Sequence, residues 1–187
     1  MKMKFSNAFY VDPKGIVRGL AFWWTGETKI EVLLSQKNII GTKLSIHGEE
    51  DWFCSFIYSP SYIDEKKIFW ESLSNLGRNG CDKWCIIGDV NIVARPSDKL
   101  GGAPFDHTQA KCFSDFLDRE GLMELPMKGG NFTCSNKRSE RDAILEKLDR
   151  TIVLPEWCEG GNSNLNLNGS LRMSVFKMLK RNGNIRI

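Results

Sequence analysis

The chain has 187 residues, of which 41% are hydrophobic and 26% are charged, and its formal net charge is +3. This length suits one domain with its own core, and the composition is that of a soluble globular protein rather than a disordered or membrane-embedded one. The longest apolar runs, such as Leu20–Trp24, are far too short to cross a bilayer, and no apolar segment of signal-peptide length follows the N-terminus. We therefore expect an intracellular protein.

Alternating apolar and polar residues predict several short strands in the first third of the chain. Residues 19–24 form an apolar run typical of a buried strand, and residues 29–36 and 38–47 alternate with a period of two. Residues 51–58 carry large apolar side chains up to Ser59-Pro60, where the proline ends the strand. Short strands joined by tight turns indicate an antiparallel or mixed sheet.

Two segments have helical periodicity instead. Residues 62–76 place apolar side chains at helical spacing and precede Gly77, a typical helix stop. A second helix is predicted to begin near Thr108, which would cap it, and to end at Gly121.

The remaining segments complete a layered pattern. Residues 83–88 are an apolar strand, and residues 98–106 are a glycine-rich loop. Further strands are expected at 122–125 and 131–136, and residues 144–152 are apolar with charges interleaved. Strands that alternate with helices indicate an α/β or α+β domain in which helices pack on sheets.

The six cysteines indicate a reducing compartment rather than a disulfide framework. Cys81 and Cys85 have three residues between them, but no second cysteine pair or nearby histidine completes a zinc site. Four cysteines lie in apolar or alternating segments and are expected to act as small buried hydrophobes: Cys54, Cys85, Cys112 and Cys134.

The composition changes abruptly at Gly160. Residues 160–169 are rich in glycine and asparagine, as in a linker or frayed tail, and residues 171–180 have the spacing of a basic amphipathic helix. No acidic residue follows Glu159, whereas five basic ones do: Arg172, Lys177, Lys180, Arg181 and Arg186. Such a tail can contact phosphates, although a solvated end is the interpretation we favour.

The apolar strand at 83–88 is followed by two oxygen-bearing side chains, Asp89 and Asn91. Alternate residues of a strand point to the same face, so the two side chains could aim at one hard cation or phosphate oxygen. The alternative is a buried strand that runs into an ordinary Asp/Asn turn, which these residues also favour. This segment alone leaves both interpretations open.

Four motifs occur in a fixed order: residues 56–60 (FIYSP), 87–91 (IGDVN), 130–136 (GNFTCSN) and 147–150 (KLDR). Together they resemble the endonuclease/exonuclease/phosphatase superfamily, above all the apurinic-type endonuclease domain of plant LINE-type (non-LTR) retrotransposons. In that domain the corresponding motifs are Y-x-P, GDFN, G-x-F-T-W-x-N and R-L-D-R. The likeness spans residues from about Phe5 to about Trp157.

The resemblance implies a two-sheet β-sandwich flanked by helices and Mg²⁺- or Mn²⁺-dependent hydrolysis of a phosphodiester in DNA, or in RNA. It also implies action in the nucleus if the retroelement role is retained. Tyr58 would touch the scissile phosphate, and Asp89 would orient or deprotonate the attacking water. Asn91 would hold the phosphate or its transition state, and Asn136 would position neighbouring residues or substrate. Asp149 would help to hold the metal or to support a histidine.

Each of these residues also has an ordinary structural interpretation. Tyr58 would be a strand-end aromatic, Asn136 a turn former, and Asp149 a charge partner of Arg150 or Lys147. Only the joint order of the motifs favours the functional interpretation.

The chain departs from the family pattern at both ends. Family members begin with a strand that carries a catalytic asparagine and a strand that ends in Q-E-T, whose glutamate is the principal metal ligand. They end with S-D-H, whereas no histidine follows Trp157 here. Cys134 replaces the tryptophan of F-T-W, and Val90 replaces the phenylalanine of GDFN.

We therefore expect residues 1–158 to form an incomplete β-sandwich domain of this type, with residues 159–187 as a low-complexity basic tail. Loss of even one group that stabilises a transition state commonly lowers the rate about 10²–10³-fold, so little or no nuclease activity is expected. The alternative is a non-catalytic nucleic-acid-binding or interaction module, supported by the basic tail and by tryptophans expected at the surface. A third possibility is an unrelated α+β domain.

Overall fold

The computed structural model describes residues 7–11, 20–24, 29–45, 51–77, 83–126 and 130–156. The basic tail, with the helix expected at 171–180, lies outside the described residues. The described helices are α1 (Ile63–Leu76) and α2 (His107–Glu120), with short 3₁₀ turns at Pro96–Asp98 and Glu140–Asp142. The described strands are β1 (Asn7–Val11), β2 (Leu20–Trp24), β3 (Lys29–Ser35), β4 (Ile39–Ser45), β5 (Trp52–Tyr58), β6 (Trp84–Asp89), β7 (Lys99–Leu100), β8 (Met123–Glu124), β9 (Cys134–Ser135), β10 (Leu145–Glu146) and β11 (Asp149–Val153).

A six-stranded mixed sheet, ordered β3-β4-β5-β6-β11-β8, forms the centre of the fold. Its strands pair antiparallel except β5 and β6, which run parallel and are joined through α1, the kind of crossover that a parallel pair requires. β1 and β2 form a separate antiparallel pair, and β7, β10 and β9 form a small third sheet. The large sheet confirms the strands predicted within 29–45, 51–58 and 83–88.

The two faces of the large sheet bury different cores. On one face, α1 and α2 cover the sheet, and the ring of Trp70 lies with its centroid 5.6 Å from that of Phe113 and 4.6 Å from that of Phe116. On the other face, the β1–β2 pair covers the sheet, and Leu20 is buried against Ile40 and other apolar side chains of β4 and β5. The expected combination of stacked sheets and flanking helices is thus confirmed as a mixed α/β fold.

Both helices end at the predicted glycines, Gly77 and Gly121, but the start of α2 differs in detail from the sequence expectation. α2 begins one residue before Thr108, because the carboxylate of Asp106 caps it by accepting hydrogen bonds from the N–H groups of Thr108 and Gln109, 3.0 Å each. Gly77 does end α1, yet its backbone is not left-handed. A larger residue does not fit at position 77, because its Cβ would lie 2.1 Å from the Trp84 ring.

Several local expectations are corrected. The loop predicted at 98–106 contains β7. The apolar segment with interleaved charges around 144–152 forms two strands, β10 and β11, which belong to different sheets. Cys54 and Cys85 are buried as expected, whereas Cys134 is exposed because β9 is an edge strand of two residues. The tryptophans at 52, 70 and 84 are buried rather than at the surface.

No disulfide joins the cysteines within the described residues. Neither α1 nor α2, the two α-helices of the described part of the chain, has the length and apolar character needed to cross a membrane.

Candidate active site

Three of the predicted site residues lie in one row across the large sheet. Tyr58 is in register with Asp89 on the parallel neighbour, and Asp89 is in register with Asp149 on the antiparallel neighbour. In-register side chains on adjacent strands share a face, with Cα atoms about 4.5–5.5 Å apart in antiparallel pairs. By the alternation of the strands, this is the face toward the β1–β2 pair, where Tyr58 joins the core. All three residues are half-buried.

Gly88 fixes the strand that carries Asp89. Its φ of +146° lies in a region that suits only glycine, and a Cβ would lie 2.0 Å from the carbonyl oxygen of Ile57 on β5. The missing side chain therefore allows β5 and β6 to approach closely just before Tyr58 and Asp89. This close approach is the physical reason for a glycine in the IGDVN motif.

Asn91 lies in a turn directly after β6. Its φ is +53°, a left-handed conformation that asparagine tolerates, and its N–H donates a 2.7 Å hydrogen bond to Oδ1 of Asp89. Its Nδ2 donates to Oγ of Ser61 at 2.9 Å and to the carbonyl oxygen of Ser59 at 3.3 Å. The turn interpretation is confirmed, and the expectation that both side chains project from one strand is wrong because the strand ends at Asp89.

Lys66 is a neighbour of this turn that the motifs do not identify. It lies on α1 with 1% exposure, and its Nζ donates hydrogen bonds to the carbonyl oxygen of Asn91 at 2.6 Å and to Oε1 of Gln109 on α2 at 2.5 Å. Burial lowers the pKa of Lys66, and the negative charges of Asp89 and Asp106 partly oppose that shift.

The helical spacing of α1 contains the signal for Lys66. Its buried residues are Lys66, Phe69, Trp70 and Leu73, which follow the spacing i, i+3, i+4, i+7 of one helical face. A lysine on the apolar face of a helix is a sequence anomaly, and here it marks a contact with the Asn91 turn.

Asp149 is held by Thr133 of the GNFTCSN motif. The hydroxyl oxygen of Thr133 accepts hydrogen bonds from the N–H groups of Leu148 at 3.0 Å and Asp149 at 3.1 Å. Burial raises the pKa of the Asp149 carboxyl, and hydrogen bonds from the Thr133 side chain and from its own backbone N–H oppose that shift in part.

The basic residues next to Asp149 in the sequence, Lys147 and Arg150, form ion pairs with other carboxylates. Arg150 is fully buried; its Nη2 donates to Asp98 at 2.8 Å and its Nη1 to Glu124 at 2.7 Å. Lys147 also pairs with Glu124. The ion pairs of these two residues therefore brace the loop before β7 and the strand β8, rather than neutralising Asp149 as the structural alternative supposed.

Asn136 acts within its own loop. Its Nδ2 donates to the carbonyl oxygen of Asp142 at 2.7 Å, and its Oδ1 accepts from the N–H groups of Ile144 at 3.0 Å and Arg138 at 3.2 Å. Its side chain is exposed. These bonds fit the turn-forming interpretation and the positioning of neighbouring residues. The row of Tyr58, Asp89 and Asp149 does not include it.

The resemblance implies a divalent metal, and two carboxylates of the row, Asp89 and Asp149, are candidate ligands for it. Asp89 and Asp149 are carboxylates opposite each other on neighbouring strands, an arrangement of like charges that a cation would relieve. Mg²⁺ is usually bound by one or two carboxylates together with substrate phosphates and water. The two residues fit that role, although the described part of the chain contains no group of three or more His, Cys, Asp or Glu side chains that could hold a metal alone.

Comparison with known proteins gives matches among solved structures only. The chain matches no protein-family model and no curated protein. The endonuclease domain of TRAS1, a telomere-specific non-LTR retrotransposon, is 12% identical, with a TM-score of 0.60 over 81% of this chain and 69% of that one. The 3′ phosphatase NExo from Neisseria, bound to a product DNA hairpin, is 15% identical, with a TM-score of 0.58 over 82% of this chain and 68% of that one. The resemblance seen in the motifs is therefore confirmed in three dimensions: the chain has an endonuclease/exonuclease/phosphatase-type fold.

Proposed function

We propose that this chain is a nuclease domain that hydrolyses phosphodiesters of DNA with the help of Mg²⁺ or Mn²⁺. The observation that carries the proposal is the row of Tyr58, Asp89 and Asp149 at one end of the large sheet, with the Asn91 turn beside it. Phosphoryl transfer needs groups that position the reactants and neutralise developing charge, and it does not need a covalent nucleophile.

Each side chain has a proposed role that its surroundings support. The Asp89 carboxylate orients or deprotonates the attacking water, and the Tyr58 hydroxyl donates to the phosphate. The Asn91 amide already donates to the exposed Ser61 hydroxyl, whose place a phosphate oxygen would take. Asp149 and Asp89 would hold the cation, which when bound would act as a Lewis acid on the phosphate.

The proteins of similar fold support this choice of substrate. One is a retrotransposon endonuclease domain, and the other is a phosphatase in complex with DNA. We accordingly propose an origin in a non-LTR retroelement, and action in the nucleus if that role is retained. The expectation of little or no activity stays a prediction that the same assay measures.

The test is nicking of a supercoiled plasmid and of a duplex with an abasic site, by purified chain in Mg²⁺ or Mn²⁺. We expect slow cleavage that EDTA abolishes and that Asp89→Asn reduces at least about 100-fold. Asp115→Asn, on the exposed side of α2, is the matched control and should cleave like the wild type. Cleavage that persists in Asp89→Asn would contradict the proposal, and binding without any cleavage would favour the non-catalytic alternative.

A further inference from the structure

A continuous chain of four hydrogen bonds joins the start of α2 to the Asp89 carboxylate. Asp106, which is exposed, accepts from Nε2 of Gln109 at 2.9 Å. Oε1 of Gln109 accepts from the buried ammonium of Lys66 at 2.5 Å. Lys66 donates to the carbonyl oxygen of Asn91 at 2.6 Å, and the N–H of Asn91 donates to Oδ1 of Asp89 at 2.7 Å. The chain thus runs from the surface of the molecule to the side chain proposed to act on the attacking water.

Gln109 lies between a carboxylate and an ammonium, and its amide satisfies both. A carboxylate only accepts hydrogen bonds, so Nε2 must face Asp106 and Oε1 must face Lys66. Hydrogen bonds from the backbone and the side chain of Gln109 lower the pKa of Asp106, which favours its ionised, accepting form. The amide therefore has one orientation, in which its oxygen holds the Lys66 ammonium beside the Asn91 turn.

The turn that this chain reaches needs support from its surroundings. Asn91 has a left-handed backbone, a conformation that residues other than glycine adopt rarely and that persists when neighbouring contacts fix it. Its side chain is held by Ser59 and Ser61, whereas its carbonyl oxygen is held by Lys66. Because the N–H of the same residue binds Asp89, a movement of this backbone would also move the carboxylate.

We propose that Gln109 is a positioning residue for the reaction, which acts through Lys66 and the Asn91 turn to fix the direction of the Asp89 carboxylate. The role of Asp89 in this inference rests on the proposed nuclease function. A reacting group that is misplaced by about 1 Å can lower the rate about 100-fold, so partial loosening of the turn should lower it about tenfold. Such an effect falls on the turnover of bound substrate and leaves its binding unchanged.

Hydrogen exchange of the Asn91 N–H, followed by NMR in EDTA, tests the link without any cleavage. Gln109→Leu should speed this exchange about tenfold, because the ammonium loses the acceptor that holds it beside the turn. Lys111→Met, at an exposed position of the same helix, is the control and should exchange like the wild type. Circular dichroism should show that both variants are folded.

A double variant provides a conservative rescue. Gln109→Glu combined with Asp106→Asn exchanges the carboxylate and the amide of this pair. The new amide can cap α2 as well as an aspartate does, and the new carboxylate can accept both from that amide and from Lys66. The double variant should therefore restore the slow exchange of the Asn91 N–H that Gln109→Leu loses.

Cleavage of the abasic-site duplex in Mg²⁺ measures the effect on the reaction. Gln109→Leu should lower kcat about tenfold and change KM less than about twofold, and the double variant should recover kcat. In a Lys66→Met background, Gln109→Leu should have no further effect on kcat, because its action passes through the lysine.

Three results would overturn the inference. They are exchange of the Asn91 N–H that Gln109→Leu leaves unchanged, a rise in KM without a fall in kcat, and a loss in the Lys66→Met background as large as in the wild type. The nuclease proposal fails separately. If the wild type does not cleave but exchange still depends on Gln109, the nuclease function alone is removed. Cleavage that requires Asp89 but is unaffected by Gln109→Leu removes the positioning role alone.

Discussion

The buried ammonium of Lys66 donates a 2.6 Å hydrogen bond to the backbone carbonyl of Asn91, and so ties α1 to the turn that follows Asp89. The same ammonium donates to Gln109, so both helices meet the turn through one side chain. The shape of the turn therefore depends on the packing of the helices as well as on its own sequence.

Lys66→Met should destabilise the protein by about 1–3 kcal/mol, because it leaves two partly buried acceptors, the Asn91 carbonyl oxygen and Gln109 Oε1, without their donor. Urea unfolding measures the change, and Lys67→Met, at the exposed neighbour, is the matched control. Cleavage by Lys66→Met should also fall, since the Asn91 turn would lose its contact with α1. Equal stability of the two variants would show that Lys66 has no such role.

Gly88→Ala should destabilise the protein by about 3 kcal/mol or more, because a strained backbone and a contact with the Ile57 carbonyl are imposed together. Gly130→Ala is the control within another motif, since a Cβ at that position meets nothing within 4 Å. It should change stability by less than about 0.5 kcal/mol. Similar denaturation midpoints for the two variants would contradict the close approach of β5 and β6.

Arg150→Met should destabilise the protein by about 3–5 kcal/mol, because the buried carboxylate of Asp98 would lose its ion-pair partner. Glu124 would keep its ion pair with Lys147. Adding Asp98→Asn to that variant should recover part of the loss, because no unpaired carboxylate then remains at this position. Lys111→Met removes an exposed ion pair on α2 and should have little effect in the same thermal unfolding experiment. A small effect of Arg150→Met would mean that the ion pairs of Arg150 contribute little to stability.

Asp149→Asn should make the protein more stable than the wild type at neutral pH in the absence of metal. Burial raises the pKa of the folded carboxyl above the unfolded value, so its favourable contribution is present at low pH and is lost as the pH rises through the folded pKa. The advantage of Asp149→Asn should therefore shrink as the pH falls toward the unfolded pKa of about 3.9.

The melting temperatures of wild type and Asp149→Asn across this pH range measure that difference. Mg²⁺ should raise the melting temperature of the wild type more than that of Asp149→Asn, since the variant lacks one of the proposed ligands. An advantage that does not change with pH would show that ionisation of Asp149 is not its cause.

Most strands and both helices were predictable from local patterns: a period of two in β3 and β4, a large apolar run in β5, and a period of 3.6 in α1 and α2. The start of α2 was also open to prediction. Asp106 and Gln109 have the spacing of a capping box, a stronger signal than Thr108 alone. The division between β10 and β11 was not predictable, because both strands mix apolar and polar residues and only their partner strands differ.

The sequence motifs identify the residues of the candidate site, but they do not predict how these residues are arranged. The sequence holds Tyr58, Asp89 and Asp149 in three separate segments, and no local pattern gives the register that aligns them. The helical spacing of α1 identifies Lys66 rather than Lys67 as the lysine on the apolar face, but its contact with the Asn91 turn depends on tertiary structure. The partners of Arg150 are likewise distant in sequence, so its role depends on tertiary structure.

The parallel pairing of β5 with β6 also bears on the order in which the protein folds. Strands β3, β4 and β5 can pair as consecutive hairpins through local contacts, whereas β6 joins β5 only after the chain has passed through α1. Tyr58 and Asp89 therefore meet through a contact of high sequence separation, which forms slowly because a long loop must close first. A partly folded chain can hold its hairpins and still have no candidate site, so any activity should be gained only in the step that completes the sheet.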